Sequence, residues 1–375
     1  MLKANARDFL EKEICLIADE YDRKGPLSRE EAIGFIKKLM PFGYYIGQWP
    51  EEHGGSNLTH KSYAVLMEEL ARAWAGLAGT IMIAALGPGM VIFGPEELKQ
   101  KYLSRVMAGE FISCGGITEP NTGSDAQNIE TTAVLDGDEW VINGTKTWIS
   151  NGTIADVATV LCVTDREKGP LGISTIVVDR EESPFAAREL HKIGLRAFPT
   201  AELSFVDCRV PKTNLRGEPT RGYKGFMVEL ERGRSALSII STGIAQASID
   251  AAINYARERK QFGRPIGSFQ MIQEMIADMI AETEASRLLG YRALQLIDKG
   301  ERARWQSSLA KAYATEAAIR TTSKAIQIHG AVGLSNEYPV ERYFRDARML
   351  TIPDGTTQIQ KLVVGREVIG IRAFT

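Results

Sequence analysis

The chain is poor in the residues that build metal centres and disulfide frameworks. Its 375 residues include four cysteines, Cys15, Cys114, Cys162 and Cys208, none in a C-x-x-C pair, which argues against a zinc site or a secreted disulfide scaffold. Four histidines without paired spacing give no metal-ligand pattern, so no metal is expected. The net charge of -2 lacks the basic excess that holds nucleic acid. No run of about 18 apolar residues suggests a membrane span. Met1-Leu2-Lys3-Ala4-Asn5-Ala6-Arg7 carries no apolar h-region, so no signal peptide and a cytoplasmic location are expected. Internal repeats and low-complexity tracts are also missing. What remains, 44% hydrophobic and 25% charged residues, is an ordinary globular composition, long enough for two or three packed units.

Those units read helical, β, helical. Residues 1–112 carry apolar positions at helical spacing (Phe9, Ile14, Ile17, Tyr21) and the run Tyr63–Arg72, with a further helix starting at Gly94-Pro95. Residues 113–218 switch to short β-type runs. Thr131–Leu135 and Trp140–Ile142 flank Asp136-Gly137-Asp138 as a hairpin, and Val157–Val163 and Ile173–Val178 read as strands. An antiparallel barrel or sandwich is predicted there. Residues 219–375 return to long helices over Ile239–Arg257, Met271–Asp298 and Leu309–Ile328, which predict a four-helix bundle. The fold class is therefore α+β, in three domains.

Four segments carry polar chemistry, and each also has a plain structural reading. In Thr351-Ile352-Pro353-Asp354-Gly355-Thr356, Pro353 stops a helix and leaves a lone carboxylate on a turn. Asp354 is either a base held against a ligand or the N-cap of the last helix. Gly115–Asp125, with Thr118 and Ser124, is a Gly- and hydroxyl-rich loop that suits a polar ligand or a surface turn. Ile142–Gly152 places Trp148 and Ser150 on one strand face, and Trp148 taken alone reads as a core residue. Ala256–Ile266 is a basic helix end with Phe262, or simply a solvated charge run.

Taken together, the order of these segments, the Thr-Glu-Pro loop, Lys-Thr-Trp-Ile-Ser-Asn, Glu-Arg-Lys-Gln-Phe-Gly and Asp-Gly-Thr-Thr-Gln-Ile-Gln resemble the acyl-CoA dehydrogenase family across essentially the whole chain. The resemblance implies a homotetramer, a dimer of dimers, with FAD between subunits and electrons passed to electron-transferring flavoprotein. It implies flavin contacts from Ile117, Thr118, Trp148, Ile149 and Ser150, with Ser150 standing where many relatives carry Thr. Ser124 would face FAD or CoA. Arg259 and Phe262 would contact the neighbouring subunit's FAD, with Arg259 on the pyrophosphate, and Gln270 would reach the adenosine end. Gln327, Gly330 and Gly333 match a second signature, although Ala331 stands where Gly or Ser is usual. Thr356 and Gln358 match FAD contacts. Substrate contacts are implied for Ser124, Glu231, Arg234 and Gly355, with Arg234 near the CoA part and Glu231 standing where relatives usually have Asp.

The family reaction moves a C2 proton to a carboxylate and a C3 hydride to flavin N5, with donors on the thioester carbonyl. Most relatives carry Glu at the position of Asp354, preceded by Tyr. Here the pair is Pro353-Asp354, and the lost methylene withdraws the carboxylate by roughly 1.5 Å. A bulky substrate, a shifted backbone or a relocated base would each answer this. One branch of the family carries its base just before the position of Arg234, where this chain has Gly233, and Glu231 lies two residues off. The expected substrate is a branched or alicyclic acyl-CoA such as cyclohexane- or cyclohexene-carboxyl-CoA. A short- or medium-chain or a glutaryl substrate is the alternative, although Trp74–Gly79 lacks the Arg that glutaryl enzymes use and should leave room for apolar bulk. A nitroalkane-oxidase-like flavin oxidase and a non-catalytic or DNA-binding relative are the rival readings.

Overall fold

The computed structural model describes residues 2–92, 96–217, 220–371 and 373. Its first third is helical: α1 (Leu2–Glu13), α2 (Ala18–Lys24), α3 (Arg29–Leu39), α4 (His60–Ala84), α5 (Gly87–Ile92) and α6 (Glu96–Met107). Local chemistry fixes several starts. Ser28 Oγ accepts from Glu31 N while Glu31 accepts from Ser28 N, a reciprocal cap at the head of α3. Thr59 caps α4, which leaves helical geometry at Trp74 (φ -160°, ψ 101°). The Gly94-Pro95 helix start and the 218/219 boundary lie outside the described residues.

The middle of the chain forms one sheet from β1 (Ser113–Gly116), β2 (Thr132–Asp136), β3 (Glu139–Ser150), β4 (Val157–Val163), β5 (Ile173–Asp179), β6 (Ala186–Glu189), β7 (Thr200–Pro211) and β8 (Leu215–Arg216), ordered β6-β7-β3-β2-β4-β5-β8 with β1 on β4. The β2–β3 hairpin turns where the acidic Gly turn predicted, with Gly137 at φ 63°. Most neighbours in the sheet pair antiparallel, as expected, but the sheet is mixed. β1 runs parallel to β4, and β2 meets β4 in parallel at Thr132 and Val163. The long 117–131 connection brings β2 back in the direction of β1, and β3 then turns the chain once against β2 before β4, so β4 runs parallel to both.

The last third contains α7 (Gly222–Glu258), a small hairpin of β9 (Lys260–Gln261) and β10 (Arg264–Pro265), α8 (Gln270–Asp298), α9 (Arg304–His329), α10 (Val340–Leu350) and α11 (Thr357–Ile369). α7, α8 and α9 pack together, α10 and α11 lie along α9, and α4 crosses onto α7. Ser, Thr and Ala fill the contacts: Ser238, Ser241, Thr242, Ser248, Ala310, Thr315 and Ala318 are all buried. Many of these hydroxyls return a hydrogen bond to the carbonyl one turn back, such as Thr242 to Ser238 and Thr315 to Lys311, so the helices approach closely with these donors satisfied. His60–Ile92 and Gly222–Glu258 are long and apolar enough to cross a bilayer by length and composition, yet 78% and 72% of their apolar windows are buried in the protein.

Candidate active site

Asp354 sits on the turn between α10 and α11 with φ 55°, a left-handed conformation that Asp tolerates better than most residues. It is not the cap of α11. Thr356 is, its Oγ1 accepting from Ile359 N at 3.4 Å. Gly355 follows at φ 94°, where a Cβ would lie 2.7 Å from Gln360 Nε2, so the turn requires glycine there. Three helices hold the turn. Arg234 Nε on α7 donates to Asp354 O at 3.1 Å, Gln360 Nε2 on α11 donates to the carbonyls of Asp354 and Gly355 at 2.8 Å each, and Lys311 Nζ on α9 donates to Thr351 O at 2.9 Å and Gly355 O at 2.8 Å.

The Asp354 carboxyl is half-buried and faces the backbone of Gly233. Burial pushes its pKa up, and the cations Arg234 and Lys311 pull it partly back. A carboxylate poised upward in this way is a stronger base than a free aspartate. Arg234, itself buried, is lowered by burial and raised by Asp354 and Glu231. Its guanidinium also reaches Ser308 Oγ at 3.4 Å. Glu231, one turn before Arg234 on α7, is committed to other partners. Its carboxylate pairs with Arg302, also accepts from Ala303 N at 3.1 Å, and lies 3.7 Å from Arg304. It is therefore engaged in anchoring the head of α9.

A second group forms on the sheet. Trp148 lies at a bulge in β3 between Lys146 and Ile149, with φ 61°. Its indole is 55% exposed, so it is no core tryptophan and presents a broad apolar face. Ser150 beside it is half-buried and Ile149 is buried. Thr147 N donates to Thr118 O at 2.8 Å, which joins the Ile117–Thr118 loop to this bulge. Below it, Lys146 and Glu119 form a buried ion pair at 2.7 Å, and Glu119 also accepts from Glu130 N and Thr131 N. Burial raises the Glu119 carboxyl, but Lys146 and these donors outweigh it and the net shift is downward. Ser124 is exposed farther along the same loop.

The remaining predicted residues gather at the other end of the bundle. Arg259 lies 25 residues beyond Arg234 along α7, about 37 Å of helix. Gln327 and Gly330 end α9, and Tyr255 stacks on His329 at 4.4 Å, which brings the far ends of α7 and α9 together. Phe262, at φ 51° on the β9–β10 turn, is 93% exposed. Arg259 and Gln270 are exposed beside it. Within one subunit this end does not meet Asp354, whereas Thr356 and Gln358 follow Asp354 directly.

Sequence reasoning missed Lys311, Gln360, Glu119 with Lys146, and Asn151, whose buried side chain donates to Thr80 O at 3.0 Å and ties the Trp148 strand to α4. Lys311 did leave a signal: a lysine whose helical neighbours Ser307, Ser308, Ala314 and Thr315 are all small and lie on one face. The expected free volume at Trp74–Gly79 is corrected. A Cβ on Gly76 would lie 3.0 Å from Trp74 Nε1, and one on Gly79 would lie 3.0 Å from the Phe198 ring. The space at these two glycines is taken by aromatic side chains of the protein itself.

A helical, β, helical protein with a lone carboxylate on a turn before its last helix and a bared tryptophan on its sheet defines a class of flavoprotein oxidoreductases. Three family models match in sequence: acyl-CoA dehydrogenase N-terminal domain over 1–110, middle domain over 114–208 and C-terminal domain over 220–369. The chain is 39% identical over 374 residues to the probable acyl-CoA dehydrogenase YngJ of Bacillus subtilis, covering 98% of this chain and 97% of that one. It is 40% identical over 370 residues to the caffeyl-CoA reductase-Etf complex subunit CarC of Acetobacterium woodii, covering 97% and 96%. It superposes on a glutaryl-coenzyme A dehydrogenase in complex with glutaryl-CoA with a TM-score of 0.93 at 37% identity, covering 99% and 95%. The chain belongs to the acyl-CoA dehydrogenase family. It is an FAD-dependent enzyme acting on the CH–CH group of an acyl-CoA.

The residues present fit that cofactor. An exposed indole and a neighbouring hydroxyl suit a flat ring with polar edges, and the exposed Arg259 and Phe262 suit a pyrophosphate and a second ring.

Proposed function

We propose that the protein dehydrogenates a branched or alicyclic acyl-CoA, such as cyclohexane- or cyclohexene-carboxyl-CoA, with Asp354 taking the C2 proton. The observation that carries this reading is the seat of the carboxylate. Asp354 Oδ2 lies against Gly233, 2.5 Å from where a Cβ would stand, so the carboxylate, already one methylene shorter than a glutamate, is seated back against α7. A base set back in this way is matched by a bulky substrate whose acidic carbon is held at the edge of a ring rather than by a thin linear chain. FAD, when bound, supplies the acceptor for the C3 hydride. The Asp354 N–H is available as a donor to the thioester carbonyl, where negative charge develops. Arg234 and Lys311 hold the turn and favour the ionised base. In this reading Ser124 and Gly355 serve the CoA and the thioester, and Glu231 braces the head of α9 through Arg302.

The chain works in this reading as a homotetramer, a dimer of dimers. Arg259, Phe262, Gln270, Gln327 and Gly330 serve the flavin of a neighbouring subunit, because they are too far along the bundle to reach their own base. Electron-transferring flavoprotein is the electron partner, in keeping with the Etf complex named for the Acetobacterium relative. That relative's name also favours a second reading, in which the same site reduces an unsaturated aryl- or alkenyl-CoA.

Anaerobic titration of the FAD-loaded protein tests both readings. The panel compares linear C4–C8 acyl-CoAs, glutaryl-CoA, cyclohexanecarboxyl-CoA and cyclohexenecarboxyl-CoA by flavin bleaching, and an aryl-acrylyl-CoA by reoxidation of the reduced protein. Fast bleaching by the alicyclic thioesters alone supports the first reading. Equal bleaching by linear thioesters removes the argument from bulk. No bleaching by any thioester, with rapid reoxidation by the unsaturated one, favours the reductase.

A further inference from the structure

We infer that Lys311 is a positioning residue for the proton-transfer step, because it ties together the two ends of the turn that carries the base. The inference rests on Asp354 being that base. Lys311 Nζ bridges Thr351 O at 2.9 Å and Gly355 O at 2.8 Å, the carbonyls on either side of Asp354. Between them the chain turns through the left-handed region at Asp354 and Gly355. Such a turn keeps one shape only if its carbonyls are held from outside. Gln360 and Arg234 hold the Asp354 carbonyl, and Lys311 reaches across the turn from Thr351 to Gly355.

The lysine is an unusual choice for a purely structural link. It is 0% exposed, and Ser307, Ser308, Ala314 and Thr315 around it on α9 are also buried. Burying an ammonium is costly, and a neutral amide would make the same two bonds. Burial pulls the Lys311 pKa down to about 8, against the upward pull of Asp354, so the side chain is mostly charged at neutral pH. The charge lies close enough to Asp354 to pull the carboxyl down against burial. Lys311 thus holds the base in place and favours its ionised form.

The test uses FAD-loaded holoenzyme and the fastest thioester of the panel above. Lys311→Met, Lys311→Gln, Lys311→Arg and Asp354→Asn are compared by kcat, KM, the pH profile of kcat/KM and exchange of the substrate C2 proton in D2O. Lys311→Met is expected to lower kcat about 100-fold with little change in KM, as a misplaced reacting group does. Its acidic limb should move to higher pH, and C2 exchange should slow in parallel. Lys311→Gln keeps donors without charge, so its limb should move while kcat falls less. Lys311→Arg keeps the charge and should hold the limb at the wild-type position. If Lys311→Met does not fold or load FAD, Lys311→Gln and Lys311→Arg decide by their limbs. Variants with wild-type kcat and an unmoved limb, beside an inactive Asp354→Asn, overturn the role of Lys311 alone. A fully active Asp354→Asn overturns the base assignment and this inference with it.

Discussion

Asp354 Oδ2 rests 2.5 Å from the point where a Cβ on Gly233 would stand. The two residues are 121 positions apart in sequence, and one has room for its carboxylate because the other has no side chain. Gly233 lies inside α7, where alanine would ordinarily stabilise the helix by about 1 kcal/mol. Gly233→Ala is therefore expected to separate activity from stability. The thermal midpoint should stay level or rise while the rate of flavin reduction by substrate falls about 100-fold, because the base is displaced by about 1 Å. Thermal melts and stopped-flow flavin bleaching on the same preparation check it. A variant with an unchanged rate would show that the carboxylate does not need this seat.

Lengthening the base probes the same relationship from the other side. Asp354→Glu restores a methylene, roughly 1.5 Å of reach, toward the space proposed for a ring. The bleaching rate with cyclohexanecarboxyl-CoA should fall, and the rate with a linear C4 or C6 acyl-CoA should rise relative to it. Glutamate is less at ease at φ 55° than aspartate, so a small loss of stability, about 1 kcal/mol, is expected as well. Preference is read from the ratio of kcat/KM values, which a general loss of stability leaves unaltered. An unchanged ratio would detach substrate choice from the length of the base.

Much of this was legible because it is local chemistry. Asp136-Gly137-Asp138 turns the β2–β3 hairpin by its own backbone preference, and Pro353 with Gly355 stops α10 short of the base. Other features depend on distant partners. The strong apolar pattern of the first bundle helix starts at Ile239, yet α7 begins at Gly222; its opening turns carry a thinner stripe, Tyr223, Phe226, Met227 and Leu230, interrupted by Gly225 and Gly233 and by the charged run over residues 229–234. Trp148 is ambiguous in sequence, since a bulge and a positive φ decide whether its indole faces the core or the solvent. The clamp on the base turn is nearly silent. Lys311 and Gln360 bind backbone carbonyls, which every residue has, so the partners leave no mark in the sequence.

The Lys146–Glu119 pair lies under the loop and bulge that carry Thr118 and Trp148. Both side chains are buried, and Lys146 also reaches Ile117 O at 3.2 Å. Removing one partner strands the other charge out of water. Lys146→Met is expected to cost about 3–5 kcal/mol of stability and to lower FAD content in the purified protein. The double variant Lys146→Met/Glu119→Gln should recover part of the stability, since no bare charge remains. Urea denaturation and the flavin-to-protein absorbance ratio measure the two effects. Full stability in the single variant would show that water reaches the pair.

Asp346 joins the C-terminal helices to the middle of the chain, accepting from Leu195 N at 2.6 Å. Burial pushes its carboxyl up to about 6, against Arg342 and the Leu195 N–H, which pull it down. The unfolded chain holds its aspartates near 3.9. Between these values the folded protein binds the proton that the unfolded chain has lost, so this residue's contribution to stability is present below about pH 4 and is lost as pH rises to about 6. Other carboxylates run the opposite way, Glu69 and Asp179 among them, because their cations hold them low. The effect of Asp346 is therefore read as a difference. Asp346→Asn keeps an acceptor for Leu195 N and cannot ionise. Compared with the wild type, it should gain stability steadily from pH 4 to pH 6.5, by about 3 kcal/mol for a shift of roughly two pKa units, and the difference should be flat above that. Urea unfolding across this range measures it. A difference that does not vary with pH would place the Asp346 pKa at its ordinary value, with water at the junction between the helices and the sheet.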